Sequence, residues 1–175
     1  MSKGLTPGSV LPDFTLPDEN GVMHRLSELQ GDDAMILMLG RGEHCPRERQ
    51  HQREMVRFHH WCPVAFTQLV TILPNDLHDV YKMRISTGAH WPYLADVDLE
   101  VQRAFEIEEY TDPHHHATVP HTLVVAPGLL GGGVEVVLAA AQQVLQVLPE
   151  LEGGGPAPEP VADVHLVHHQ AERGG

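Results

Sequence analysis

A cysteine followed at once by proline, in the run Gly40-Arg41-Gly42-Glu43-His44-Cys45-Pro46-Arg47, is the part of this sequence best suited to chemistry. Proline fits the first position of a helix, where its missing N–H costs nothing, so Pro46 sets Cys45 at a helix N-terminus. Backbone N–H groups and the positive end of the helix dipole stabilise a thiolate there and lower the thiol pKa. Arg41, Arg47 and Arg49 add charge that is not lost at working pH, suited to holding a thiolate together with a peroxide or similar oxygen acceptor. Glu43 and Glu48 oppose them, and His44 is a candidate proton shuttle. The expectation is a reactive thiolate; the alternative is a small apolar cysteine filling a gap.

The second cysteine, Cys62, lies beyond the far end of the helix that Pro46 opens. At 1.5 Å per residue the two would stand about 25 Å apart, whereas a disulfide needs Cα atoms within roughly 7 Å. Cys62 is therefore expected to be a structural or helix-end thiol, with an intermolecular role as the alternative. His114, His115, His116 and His121 flank Pro120 and could join a thiolate around zinc, copper or iron. Adjacent histidines cannot all point one way, so a solvated loop is the expectation and no metal or other cofactor is assigned. Asp13 and Asp96 read as turn caps rather than acids in catalysis, and Trp61 and Trp91 as packing groups.

The elements that position Cys45 follow from hydrophobic pattern. Ala34 to Leu39 is a continuous apolar run of strand length, as for a central strand buried on both faces. Residues 46–61 are free of glycine and proline after Pro46 and predict a helix; its polar first two turns should face solvent or a cleft, with Met55, Val56, Phe58 and Trp61 anchoring the rest. Upstream, residues 10–17 and 22–24 predict a short hairpin around Asp18-Glu19-Asn20-Gly21, and Ser27 caps a single helical turn. Downstream come a strand over 66–73, a helix over 77–86, an extended piece over 91–96, a short helix through Val101 and Phe105, and a strand over 122–126. This alternation implies an α/β sheet.

With 175 residues, one domain is expected over 1–150, large enough for its own core. A net charge of −13 repels phosphate backbones and anionic membranes, which argues against nucleic-acid and membrane partners. The first residues contain no apolar signal core and no apolar run is long enough to span a bilayer, so a cytoplasmic location is expected. Past Gly128 the character changes: no Lys or Arg occurs between Arg103 and Arg173, and glycine triplets begin at Gly131 and Gly153. Residues 136–148 predict a helix, and 151–175 a disordered tail.

Several stretches together resemble the alkyl hydroperoxide reductase and thiol-specific antioxidant family, the peroxiredoxin-like branch of the thioredoxin superfamily. They are Gly8 to Asp18, Arg25 to Leu29, Gly40 to Pro46, Tyr93 to Asp96 followed by Val101 and Phe105, and Thr118 to Val125 with its Val119-Pro120 pair. The resemblance covers about residues 8–128. It implies an α/β thioredoxin-like fold, a central mixed β-sheet flanked by helices, with Gly42, Pro46, Val119 and Pro120 forming the loops around Cys45 and Pro120 in cis. The usual Pro-x-x-x-Thr/Ser-x-x-Cys pattern falls on Met38 and Gly42, so the hydroxyl that orients peroxide is missing. Family members close with a hairpin and an amphipathic helix; residues 129–150 look divergent, and loss of that hairpin would expose a sheet edge.

The function these readings imply is a one-cysteine, thiol-dependent antioxidant oxidoreductase that reduces a hydroperoxide at Cys45 and is regenerated by an external thiol reductant. A homodimer is left open. The alternatives are a noncatalytic thioredoxin-like binding module and a Cys/His metal-binding protein.

Overall fold

Five alternating side chains explain the centre of the fold. Along β4 (Ala34–Leu39), Met35, Leu37 and Leu39 enter one apolar cluster, with Val70, Ile72, Leu94, Leu123 and Val125, while Ile36 and Met38 enter a second, with Met55, Val80, Met83 and Tyr93. Successive strand residues point to opposite faces, so a run apolar at every position demands a cover on both. The computed structural model describes residues 9–107, 119–126 and 134–137.

In chain order the elements are β1 (Ser9–Leu11), β2 (Thr15–Pro17), β3 (Met23–Arg25), α1 (Leu26–Gln30), β4, α2 (Pro46–His59), β5 (Thr67–Leu73), α3 (Leu77–Thr87), β6 (Tyr93–Ala95), α4 (Glu100–Ala104), β7 (His121–Val125) and β8 (Val134–Val137). Six strands form one mixed sheet in the order β1-β8-β7-β4-β5-β6, and β2 with β3 forms the expected hairpin. Strand β4 runs parallel to β5 and antiparallel to β7, with Leu39 opposite His121 and Met38 opposite Thr122. That register carries the start of β7 to the end of β4, where the Cys45 loop begins.

Both aspartates expected as caps are caps. Asp96 accepts from the N–H groups of Glu100 (2.7 Å) and Val101 (3.1 Å), satisfying donors that the first turn of α4 leaves orphaned. Asp13 accepts from the N–H and the hydroxyl of Ser27, at 2.9 and 2.8 Å. Ser27 thus lies inside α1 and is itself capped, correcting its assignment as the cap.

Other expectations are corrected. Val136 and Val137, placed at the start of a helix over 136–148, belong instead to β8, which pairs with β7 and with β1; β-branched valines suit a pleated sheet. The closing hairpin is therefore present and covers the edge of β7. Residues 138–175, with the remainder of that helix and the expected tail, lie outside the described residues, as do His114, His115 and His116. Strand β5 starts at Thr67 because Phe66 takes a left-handed φ of 48°. Trp91 packs as expected, 2% exposed, but Trp61 is 38% exposed and its ring lies tilted against that of His60. The described residues contain no cis peptide bond, so Val119-Pro120 is trans, the lower-energy form of an X-Pro bond.

Candidate active site

The loop from β4 to α2 is held by two close approaches. The N–H of Gly40 donates to the carbonyl of Ile72 at 2.9 Å, extending the β4–β5 ladder by one bond, and any Cβ on Gly40 would collide with the Leu73 side chain. Gly42 has φ +123°, a backbone region that residues with a side chain rarely adopt, and its carbonyl accepts from the N–H of Cys45 at 3.2 Å. From the β5–α3 turn, Asn75 Oδ1 accepts the N–H of Glu43 at 3.0 Å. The chain then enters α2 with Cys45 as N-cap, extended at φ −87° and ψ 114°, and Pro46 at the first helical position.

Cys45 is 8% exposed and lines a pocket of about 310 Å³. Met38 and Leu39 from the end of β4, Arg41 from the loop, Arg47, Glu48 and His51 from α2, and Pro120, His121 and Thr122 from the start of β7 complete its wall. Of the residues predicted from sequence, Cys45, Arg41, Arg47 and Pro120 meet here. Arg49 does not: its Nε donates to the Glu43 carbonyl at 2.9 Å and its Nη2 lies 3.0 Å from Glu43 Oε1, so it staples the loop and neutralises Glu43. His44 is not among the lining residues; its imidazole lies 3.0 Å from where a Gly42 Cβ would stand. Pro46 is exposed, Gly42 shapes the loop without lining the pocket, and the carbonyl of Val119 accepts from His121 Nδ1 at 2.8 Å.

The first half of α2 differs from expectation. Glu48, Gln52 and Met55 are its buried residues, so its inward stripe begins with two polar side chains. Glu48 Oε2 accepts the N–H of Arg41 at 3.2 Å, and Oε1 accepts from Gln52 Nε2 at 2.7 Å. Glu48 thus enters the site as a fixed acceptor rather than as a solvated charge. Sequence reasoning missed His51 and this role of Glu48; the stripe at 45, 48, 52 and 55 was the available signal.

Cys62 is 2% exposed, and burial pushes its thiol pKa up, which keeps it protonated. Both cysteines are free. No group of three or more metal-ligating side chains gathers among the described residues.

The sequence matches the AhpC/TSA family over residues 7–130. The chain belongs to this family. No curated protein matches it. Among solved structures, the peroxidoxin BcpB of Mycobacterium tuberculosis superposes with a TM-score of 0.69 at 18% identity, covering 87% of this chain and 99% of that one. Reduced Prx3 of Vibrio vulnificus in complex with hydrogen peroxide gives 0.65 at 17%, covering 82% and 99%. A yeast mitochondrial 1-Cys peroxiredoxin gives 0.63 at 13%, covering 85% and 76%. This AhpC/TSA chain therefore has the thioredoxin-like fold of the peroxiredoxins, and its membership supports a thiol-peroxidase function. Among the described residues no helix is long and apolar enough to cross a membrane.

Proposed function

We propose that the protein reduces hydroperoxides through Cys45 by a one-cysteine cycle. The observation that carries this reading is a cysteine at the mouth of α2, opening on a pocket that also holds Arg41 and Arg47, with the second thiol buried beyond the other end of the helix.

The Cys45 thiolate attacks the terminal oxygen of the hydroperoxide. The S–O bond forms as the O–O bond breaks, sulfur is oxidised to sulfenic acid, and the leaving oxygen departs as alkoxide or hydroxide and takes a proton to become alcohol or water. Arg41 and Arg47 offer positive charge to that oxygen, and the imidazoles of His51 and His121 line the same space. An external thiol then attacks the sulfenic sulfur, releasing water and leaving a mixed disulfide. A second thiol restores Cys45 and carries away the disulfide. The pocket, near 310 Å³, has room for an organic hydroperoxide or a small thiol. A reducing compartment such as the cytoplasm would keep both cysteines as thiols between turnovers.

Mass spectrometry after brief treatment with hydrogen peroxide and with cumene hydroperoxide tests this. One oxygen, or a sulfenic-acid label, is expected on Cys45 and not on Cys62, with peroxide consumption abolished by Cys45→Ser. A folded protein whose Cys45 gains no oxygen from either peroxide would overturn the proposal and favour a noncatalytic binding module.

A further inference from the structure

Behind the pocket lies a chain of buried hydrogen bonds that runs in one direction. Trp91 Nε1 donates to Thr71 Oγ1 at 2.9 Å; the Thr71 hydroxyl donates to Gln52 Oε1 at 3.3 Å; Gln52 Nε2 donates to Glu48 Oε1 at 2.7 Å. The Tyr93 hydroxyl joins at Gln52 Oε1, 2.7 Å away. An indole N–H only donates and the Glu48 carboxylate accepts, so the two ends set the direction of the chain; burial pushes the Tyr93 hydroxyl pKa up, and the proton it keeps goes to Gln52. Two donors on Oε1 fix the Gln52 amide with its NH₂ toward Glu48. Gln52, Thr71 and Tyr93 are fully buried, Trp91 is 2% exposed and Glu48 5%. The chain ends on the carboxylate whose other oxygen accepts from the backbone of Arg41.

We propose that Gln52 is a positioning residue for the Cys45 pocket: held by Tyr93 and Thr71, it aims the Glu48 carboxylate and thereby fixes the Arg41 backbone beside the thiol. This rests on the hydroperoxide-reducing reading above. A helix whose inward face were apolar at 48 and 52 would pack at least as well, because a buried polar network must be satisfied throughout merely to break even. What the polar stripe adds is orientation. The carboxylate stands in the pocket wall with one edge fixed from the core and one from the loop, so the loop carrying Arg41 cannot shift without breaking a bond to Glu48.

Gln52→Glu removes only the donor. It keeps an Oε1 to accept from Tyr93 and Thr71 but sets two carboxylates within hydrogen-bond distance, which hold their contact only when they share a proton. Tyr93→Phe removes one of the two groups that hold the amide. The measurement is single-turnover oxidation of Cys45 by cumene hydroperoxide, followed as a ratio to wild type across pH. The ratio divides out only titrations that the substitution leaves unchanged, so the Cys45 thiolate fraction is measured in each protein across the same pH range and each rate is expressed per thiolate. For Gln52→Glu the rate is expected to fall about tenfold near pH 7.5, with the ratio recovering toward unity near about pH 5.5 as the carboxylate pair takes up its proton. Tyr93→Phe should give a smaller, pH-independent loss. A ratio of unity for folded Gln52→Glu, or a loss that acid does not rescue, would overturn the inference. Should wild-type Cys45 resist peroxide, the peroxidase reading fails alone: iodoacetamide alkylation of Cys45 in the same proteins then decides, the same acid-rescued pattern supporting a positioning role and equal rates removing it.

Discussion

Replacing Gly40 by alanine isolates the contact on which the Cys45 loop depends. A Cβ there would collide with the Leu73 side chain and stand 3.1 Å from Glu48 Oε1, and Leu73 is fully buried with no solvent to move into. Gly40 needs no left-handed φ, so the effect measures close approach and not backbone strain. Relief by turning Leu73 off its rotamer costs about 0.5–1.5 kcal/mol. Relief by moving the loop loses the bond to the Ile72 carbonyl, worth about as much. Against this, the lost glycine entropy of the unfolded chain returns about 0.4–1 kcal/mol. With both relief routes partly taken, the net is a loss of about 1–2 kcal/mol, inside the range for overpacked cores. Urea unfolding followed by tryptophan fluorescence should show the midpoint falling by roughly 0.5–1 M with an unchanged slope. Cys45 oxidation should slow in parallel, since Glu48 must yield as well. A variant as stable as wild type would show that the end of β4 relaxes freely, and the argument that glycine is required there would be wrong.

Cys62, buried with its pKa raised, should alkylate only as fast as local opening exposes it, so iodoacetamide with peptide mapping should label Cys62 slowly in buffer and rapidly in urea; fast labelling in buffer would contradict its burial. Asp96→Ala should cost about 1–2 kcal/mol by orphaning two N–H groups of α4, and Asp96→Asn, which keeps an acceptor, less than half of that in the same unfolding assay. His59 packs against Trp91 with ring centroids 5.1 Å apart, and burial, helped by the charge of His90, lowers its pKa. The unfolded chain then binds more protons, so its contribution to stability is complete above about pH 6.5 and is lost as pH falls through the lower folded value. The stability difference between pH 7 and 5 should be smaller in His59→Gln than in wild type, and an unchanged difference would refute the assignment.

Elements whose pattern has one physical reading were legible. A six-residue apolar run bounded by Gly31 and Gly40 is too short for a buried helix and fits a strand covered on both faces, and Pro46 ahead of a long stretch without glycine or proline fits a helix start. Asp96 before Val97-Asp98-Leu99 was legible as a cap because a short side-chain acceptor at a turn has few other uses. Val136 and Val137 were misread since Ala, Val and Leu in the stretch 136–148 fit a helical stripe, while the partners that make them a strand, β7 and β1, are remote in sequence. Local pattern carries no information about such a partner.

The site failed to be legible for a different reason, the pairing of like candidates. Three arginines and two glutamates within nine residues of chain permit several pairings, and residue types alone count Glu43 and Glu48 equally against a thiolate. The structure separates them. Next to Gly42, whose φ of +123° strains any residue with a side chain, the Glu43 carbonyl and carboxylate meet Arg49, and that pair cancels. Glu48 is instead drawn inward by Gln52, one turn further along the same stripe, and keeps its position in the pocket wall. Among the described residues that line the Cys45 pocket, Arg41 and Arg47 thus stand with one carboxylate, Glu48, whose direction is fixed from the core. The missing hydroxyl at position 42 belongs to the same arrangement: at φ +123° threonine or serine is strained, and its Cβ would stand 3.0 Å from Asn75 Oδ1, the acceptor of the Glu43 N–H, so restoring the usual residue would disturb the loop before it could orient a peroxide.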